Sequence, residues 1–117
     1  MNPSPSFVKS KKFALDAIQY CSLLDAQKKY AISNQLIRSA TAIGANIRES
    51  NSAESLRDFV HKMKIAHKEL LESEYWIELC HESAGYPDCS MLQPQVIELK
   101  KILNAIISTS SKRLKEK

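Results

Sequence analysis

Apolar residues return every three or four positions along almost the whole chain, and the interruptions divide it into four segments. From about Ser6 to Leu24, the residues Phe7, Ala14, Ile18 and Cys21 share one side of a helix, with Ser4 and Pro5 placed as cap and first-turn proline. The polar run Asp25-Ala26-Gln27-Lys28 reads as a short connection. A second helix, ending near Ser50, carries Ile32, Leu36, Ala40, Ile43 and Ile47 on one face. Asn51 is the expected cap of a third helix, with Glu54 as its capping-box partner. Leu56, Phe59, Met63, Ala66, Leu70, Ile77 and Cys80 then alternate by threes and fours, with a gap at Ser73, which is the rhythm of a left-handed helix-packing seam. Gly85 and Pro87 are placed to end that helix. From about Ser90, with Pro94 in its first turn, Leu92, Val96, Leu99, Leu103 and Ile106 form the fourth stripe. Four amphipathic helices joined by short turns predict an all-α fold, an antiparallel up-down-up-down left-handed four-helix bundle. It should form a single domain over residues 1–117, with frayed ends at about 1–5 and 112–117.

The third helix has a second apolar side. At about 100° per residue, Ile65, Glu69, Glu72, Trp76 and Leu79 gather roughly opposite Met63 and Leu70. A helix with two apolar sides is expected to be covered on both, and four helices leave the second side without a partner. On the second helix, Arg38, Ala42, Ala45 and Glu49 lie opposite the core stripe, two small residues between opposite charges. This pairing of surfaces predicts homo-oligomerisation through helices two and three, with Arg38 meeting Glu69 or Glu72 across the contact.

Charge changes the picture through its distribution. The chain has 17 Lys and Arg against 13 Asp and Glu, a net +4. Lys9, Lys11 and Lys12 stand near the start with no acid before residue 16, and the tail from Lys112 is basic, while glutamates crowd the end of helix three. A nucleic-acid surface would use Lys9, Lys11, Lys12, Arg48, Arg57, Lys62 and the basic tail, and would read the backbone more than the bases. The plainer reading of these charges is solvated helix ends. No apolar run approaches the ~18 residues of a membrane span. No secretory leader is evident, and three cysteines in no framework spacing fit a reducing compartment, so the cytoplasm is the expected location.

Glu78-x-x-His81 has the spacing of carboxylate di-metal bundles, but no second copy exists and the other helices lack matching inward carboxylates, so it reads as a surface pair. His61, His67 and His81 form no ligand cluster, and Cys80 and Cys89 lack zinc spacing. Cys21 and Cys80 fall on core stripes, where a thiol acts as a small hydrophobe. No phosphate loop or nucleophile elbow is present, and aromatics do not alternate with bases as in a single-strand platform. The expectation is a protein without enzymatic activity, metal or cofactor.

The stretch Gln35-Leu36-Ile37-Arg38-Ser39-Ala40-Thr41-Ala42-Ile43-Gly44-Ala45-Asn46-Ile47-Arg48-Glu49 and the stretch from Phe59 through Lys62-Met63-Lys64-Ile65-Ala66 and Glu74-Tyr75-Trp76-Ile77-Glu78-Leu79 resemble the bacterial "four helix bundle protein" family. Its first members were encoded in intervening sequences of 23S ribosomal RNA genes. The likeness covers nearly the whole chain, although many members read Asn-Ile-Ala-Glu-Gly where this chain reads Asn46-Ile47-Arg48-Glu49-Ser50. The resemblance implies an up-down bundle assembling as a ring-like homopentamer, with no attached catalytic activity. One related branch of that family, the accessory protein of diversity-generating retroelements, assembles likewise and binds nucleic acid together with a reverse transcriptase. The family's characteristic polar positions correspond to Arg38, Asn46, Glu49 and Glu72, read here as structural. The leading expectation is therefore a homo-oligomeric module for RNA or a ribonucleoprotein. The runner-up is an adaptor that binds another protein through the oligomer surface.

Overall fold

A computed structural model describes residues 4–116 and contains α1 (Pro5–Ala26), α2 (Tyr30–Ser50), α3 (Leu56–Glu82) and α4 (Gln93–Lys115). No strand occurs among the described residues. Each helix packs on its sequence neighbours, and α4 returns to α1, while diagonal pairs do not meet. Cross-helix partners show the alternation of direction. Ser33 Oγ donates to the Cys21 carbonyl between α1 and α2, while Ser10 lies against Gly44 further along the same pair. Ser39 and Ser73 share a hydrogen bond of 2.8 Å between α2 and α3, with Glu49 and Lys62 paired toward the other end. Numbers rise on one helix as they fall on the next, which is the up-down order expected. The result is a slim rod, 52 × 25 × 22 Å.

The core is a single line of side chains: Phe13, Leu24, Leu36, Ile43, Ile47, Leu70, Leu92, Leu99 and Leu103 are essentially removed from solvent. Stripes read on α2, α3 and α4 therefore face inward. The gap at Ser73 is filled rather than empty: its hydroxyl is buried and bonds both Ser39 and the Glu69 carbonyl, so polarity there is satisfied across the seam. Among the described residues no buried side-chain nitrogen or oxygen lacks a partner.

Two local expectations are corrected. The buried face of α1 is Ser6, Ser10, Phe13, Ala17, Tyr20, Cys21 and Leu24, turned by about one residue (~100°) from the stripe through Phe7, Ala14 and Ile18. Ile18 is exposed. Two inward serines broke the apolar period, and Ser10 can sit there because its hydroxyl is satisfied by the Phe7 carbonyl while Gly44 opposite has no Cβ. The second correction concerns the start of α3. Ser55, not Asn51, caps it: the Ser55 hydroxyl accepts from the Asp58 amide at 3.0 Å. Asn51 instead closes α2, and Glu54 is no capping-box acceptor: its amide donates to Asp58, from just outside the cap.

The α1–α2 turn is made tight by a residue other than glycine. Lys28 adopts φ 61°, while the Lys28 and Lys29 amides reach back to the Asp25 and Leu24 carbonyls, a Schellman ending. Of the ends expected to fray, Pro5 and residues 112–115 are helical, whereas residues 1–3 and 117 lie outside the described residues. No helix among the described residues is long and apolar enough to cross a membrane.

Candidate functional site

Two surfaces remain after the core is filled. The first is the outward groove between α2 and α3. Ile65, Glu69, Glu72, Trp76 and Leu79 are all half-buried along α3, beside half-buried Ala42 on α2, with Arg38, Ala45 and Glu49 exposed. The structure thus brings the expected association residues to one face. It also shows a pairing that needs no second subunit: Arg38 reaches Glu72 of its own chain at 3.8 Å, and Trp76 Nε1 donates to the same carboxylate at 3.3 Å. Arg38 further donates to Gln35. Tyr75, 53% exposed, leans on Trp76 with ring centroids 5.2 Å apart, so aromatic surface continues from the groove to solvent. The polar positions Asn46 and Glu49 likewise find partners in the chain, the Ala42 carbonyl at 2.8 Å and Lys62 at 3.2 Å.

The second surface is one end of the rod. Alternating helix direction collects the start of α1, the end of α2, the start of α3 and the end of α4 at the same end. Segments 4–15, 42–66 and 102–116 that build it carry ten Lys and Arg against four Asp and Glu, whereas segments 16–41 and 67–101 carry six against nine. A mild net charge therefore conceals a field directed along the molecule. The six basic residues expected to meet nucleic acid all lie toward this end, but they are not equivalent. Lys9 pairs with Glu98 at 3.3 Å, Lys12 with Asp16 at 2.6 Å and Lys62 with Glu49 at 3.2 Å. Lys11, Arg48 and Arg57 have no carboxylate partner among the described residues.

Phe7, read on a core stripe, packs against the core with part of its surface and leaves the rest open. Its ring is half-exposed, and the Arg48 guanidinium lies over it, 5.8 Å from the centroid. Lys11 is one turn further along the same helix face. The signal available in the sequence was that i, i+4 spacing of an aromatic and a lysine.

The remaining chemistry is structural. Glu78 and His81 are exposed, and no group of three metal-ligating side chains converges among the described residues. Cys21, Cys80 and Cys89 are free and buried, and burial raises each thiol pKa. Cys89, unassigned to any stripe by its spacing, sits in the α3–α4 connection with its thiol toward the Ile77 carbonyl. The Tyr20 hydroxyl donates to the Pro87 carbonyl at 2.8 Å and ties α1 to that connection; burial, then the Cys80 contact, raises its pKa as well. All four groups are neutral in the fold and ionise more easily when unfolded. Stability should therefore be constant near neutrality and fall as pH rises through the ordinary thiol range near 9. Thermal melting across pH 7–10 checks this, with a flat profile as the contrary result.

The comparisons with known proteins agree with the geometry. The model of the 23S rRNA-intervening sequence protein family matches residues 6–105. A crystal structure of a protein with unknown function from the S23 ribosomal protein family of Bacteroides thetaiotaomicron is 39% identical, with a TM-score of 0.81, over 87% of this chain and 97% of that one. No curated protein matches. The match over all four helices and the rod-like bundle make the assignment: this chain belongs to the 23S rRNA-intervening sequence protein family.

Proposed function

We propose that the protein is a non-enzymatic RNA-binding module that works as a closed homo-oligomeric ring, with five subunits the number implied by its resemblance. The observation that carries the nucleic-acid half of this reading is the charge separation along the rod, with Lys11, Arg48 and Arg57 among the cations at the basic end that have no carboxylate partner in the described residues. Cyclic assembly would bring several such ends together and multiply the field that phosphates meet.

The association half rests on faces left apolar. A ring of more than two subunits needs two different surfaces, because a patch that meets its own copy closes a dimer. The α2–α3 groove with Trp76, Ile65 and Leu79 is one. On the opposite side of the bundle, α1 and the segment leading through α4 expose Leu15, Leu23, Met91 and Ile97, each more than half accessible, and these supply the other. Arg38, already engaged with Glu72, then sets the shape of the groove rather than bridging subunits.

The test is RNA affinity as a function of salt. Binding should weaken steeply as salt rises, and Lys11→Glu, Arg48→Glu and Arg57→Glu together should flatten the logarithmic slope by about two, at ~0.7 per lost single-strand phosphate contact. An affinity indifferent to salt and to these substitutions would remove the nucleic-acid reading and favour an apolar protein partner.

A further inference from the structure

Between α1 and α2 at the basic end runs a groove of about 310 Å³, lined by Phe7, Lys11, Ala14, Thr41, Gly44, Ala45 and Arg48. Its volume is at the lower end of the ~300–1,000 Å³ typical of small-ligand sites. Three features distinguish it from an accidental dent. Its floor is made of small residues, Ala14, Gly44 and Ala45, so a flat group can approach the helix backbones. One wall is an aromatic ring, Phe7, with the Arg48 guanidinium laid over it. Finally, its two cations, Lys11 and Arg48, are among those without a carboxylate partner in the described residues, whereas neighbouring Lys9, Lys12 and Lys62 are paired.

A small-residue floor, a π surface and two free cations suit a ligand that is flat and anionic at once. We infer that this groove holds one nucleotide of a single-stranded RNA, its base stacked against the Phe7–Arg48 pair and its flanking phosphates on Lys11 and Arg48. Base stacking on aromatic rings and guanidinium planes is how single strands are gripped without sequence readout. A duplex cannot use the site, because its bases are already stacked on one another. The inference rests on the RNA-binding reading above and sharpens it, since charge at the rod end would hold any polyanion, while this groove selects an unpaired base. The aromatic wall is fixed by the fold: Phe7 lies in the first turns of α1, where Ser4 accepts its amide at 3.2 Å, and it also packs on the core. Gly44 is part of that arrangement, since a Cβ there would meet Ser10 Oγ at 3.2 Å and the buried serine would have to shift by a few tenths of an ångström.

The experiment compares a short oligouridine, an abasic sugar-phosphate strand of equal length and an RNA duplex, each titrated against the intact protein at fixed salt. The oligouridine should bind about ten-fold more tightly than the abasic strand, the contribution of one stacked base. Phe7→Leu keeps an apolar side chain against the core but removes the ring; it should abolish that difference, so that the variant binds oligouridine and the abasic strand alike. Helicity and melting of Phe7→Leu are followed in parallel. Should that variant not fold, Thr41→Trp narrows the groove from its exposed rim and is expected to give the same loss. Equal affinity of wild-type protein for oligouridine and abasic strand would overturn the groove while leaving phosphate binding at the rod end intact. Binding of none of the three would overturn both.

Discussion

Leu70→Ala should destabilise the protein by about 2–5 kcal/mol. Leu70 is fully buried in α3, on the seam with α2 and one turn from the Ser39–Ser73 hydrogen bond. The bundle is only 25 × 22 Å across, so its core is one side chain deep at each level. A hole at Leu70 would have no second layer to collapse into it, and closing it by moving α3 would strain the buried serine pair. Small domains have roughly 5–15 kcal/mol in total, so the variant should sit near the edge of folding. Urea titration should show a lower midpoint with unchanged slope. Leu71→Ala, one residue away but 42% exposed, is the control and should stay within ~0.5 kcal/mol. Similar losses in the two variants would mean the buried face of α3 has been misassigned.

The second large effect concerns assembly. Ala42→Arg should dissociate the oligomer without unfolding the subunit. Ala42 is half-buried on the outer side of α2 beside α3, where a long side chain can extend along the groove to solvent, and arginine is a good helix former. In a close helix–helix contact the same side chain is overpacked, at about 1–3 kcal/mol, and cyclic symmetry repeats that penalty at every contact of the ring. The expected result is a single-subunit mass at micromolar concentration with wild-type helicity and melting. An oligomer that survives Ala42→Arg would move the contact away from this part of α2.

What was legible in the sequence follows from where one principle acts alone. The stripes of α2, α3 and α4 could be read because enough aliphatic residues recur on the inward face to mark it, although Ser33, Ser39, Ser50, Ser73 and Ser110 share that face. On α1 the same rule picked the wrong row. Ser6 and Ser10 are inward, and their fit depends on Ser4, Gly44 and the Phe7 carbonyl, partners that a hydropathy pattern does not contain. The cap of α3 failed for a related reason: Asn51 and Ser55 both precede plausible acidic partners, and only the geometry of the turn decides that Asn51 closes α2 while Ser55 opens α3.

The basic residues illustrate a further limit. Lys9, Lys11 and Lys12 look alike in the sequence, yet two face acids on α4 or one turn along α1 and the third does not. Whether a lysine is free is a property of the neighbouring helix. Phe7 was hidden in the same way, since its aromatic–cation pairing joins residues forty-one positions apart on α1 and α2. Such sites form where helices meet, and a reading along one helix at a time passes over them.

Self-association is the claim on which the rest depends, because it explains the second apolar side of α3 and multiplies the basic ends offered to RNA. Light scattering on the wild-type protein at micromolar concentration and moderate salt tests it most directly. The predicted result is one species at five times the 13.2 kDa subunit mass. A species of 13.2 kDa that persists as the concentration is raised would contradict the account.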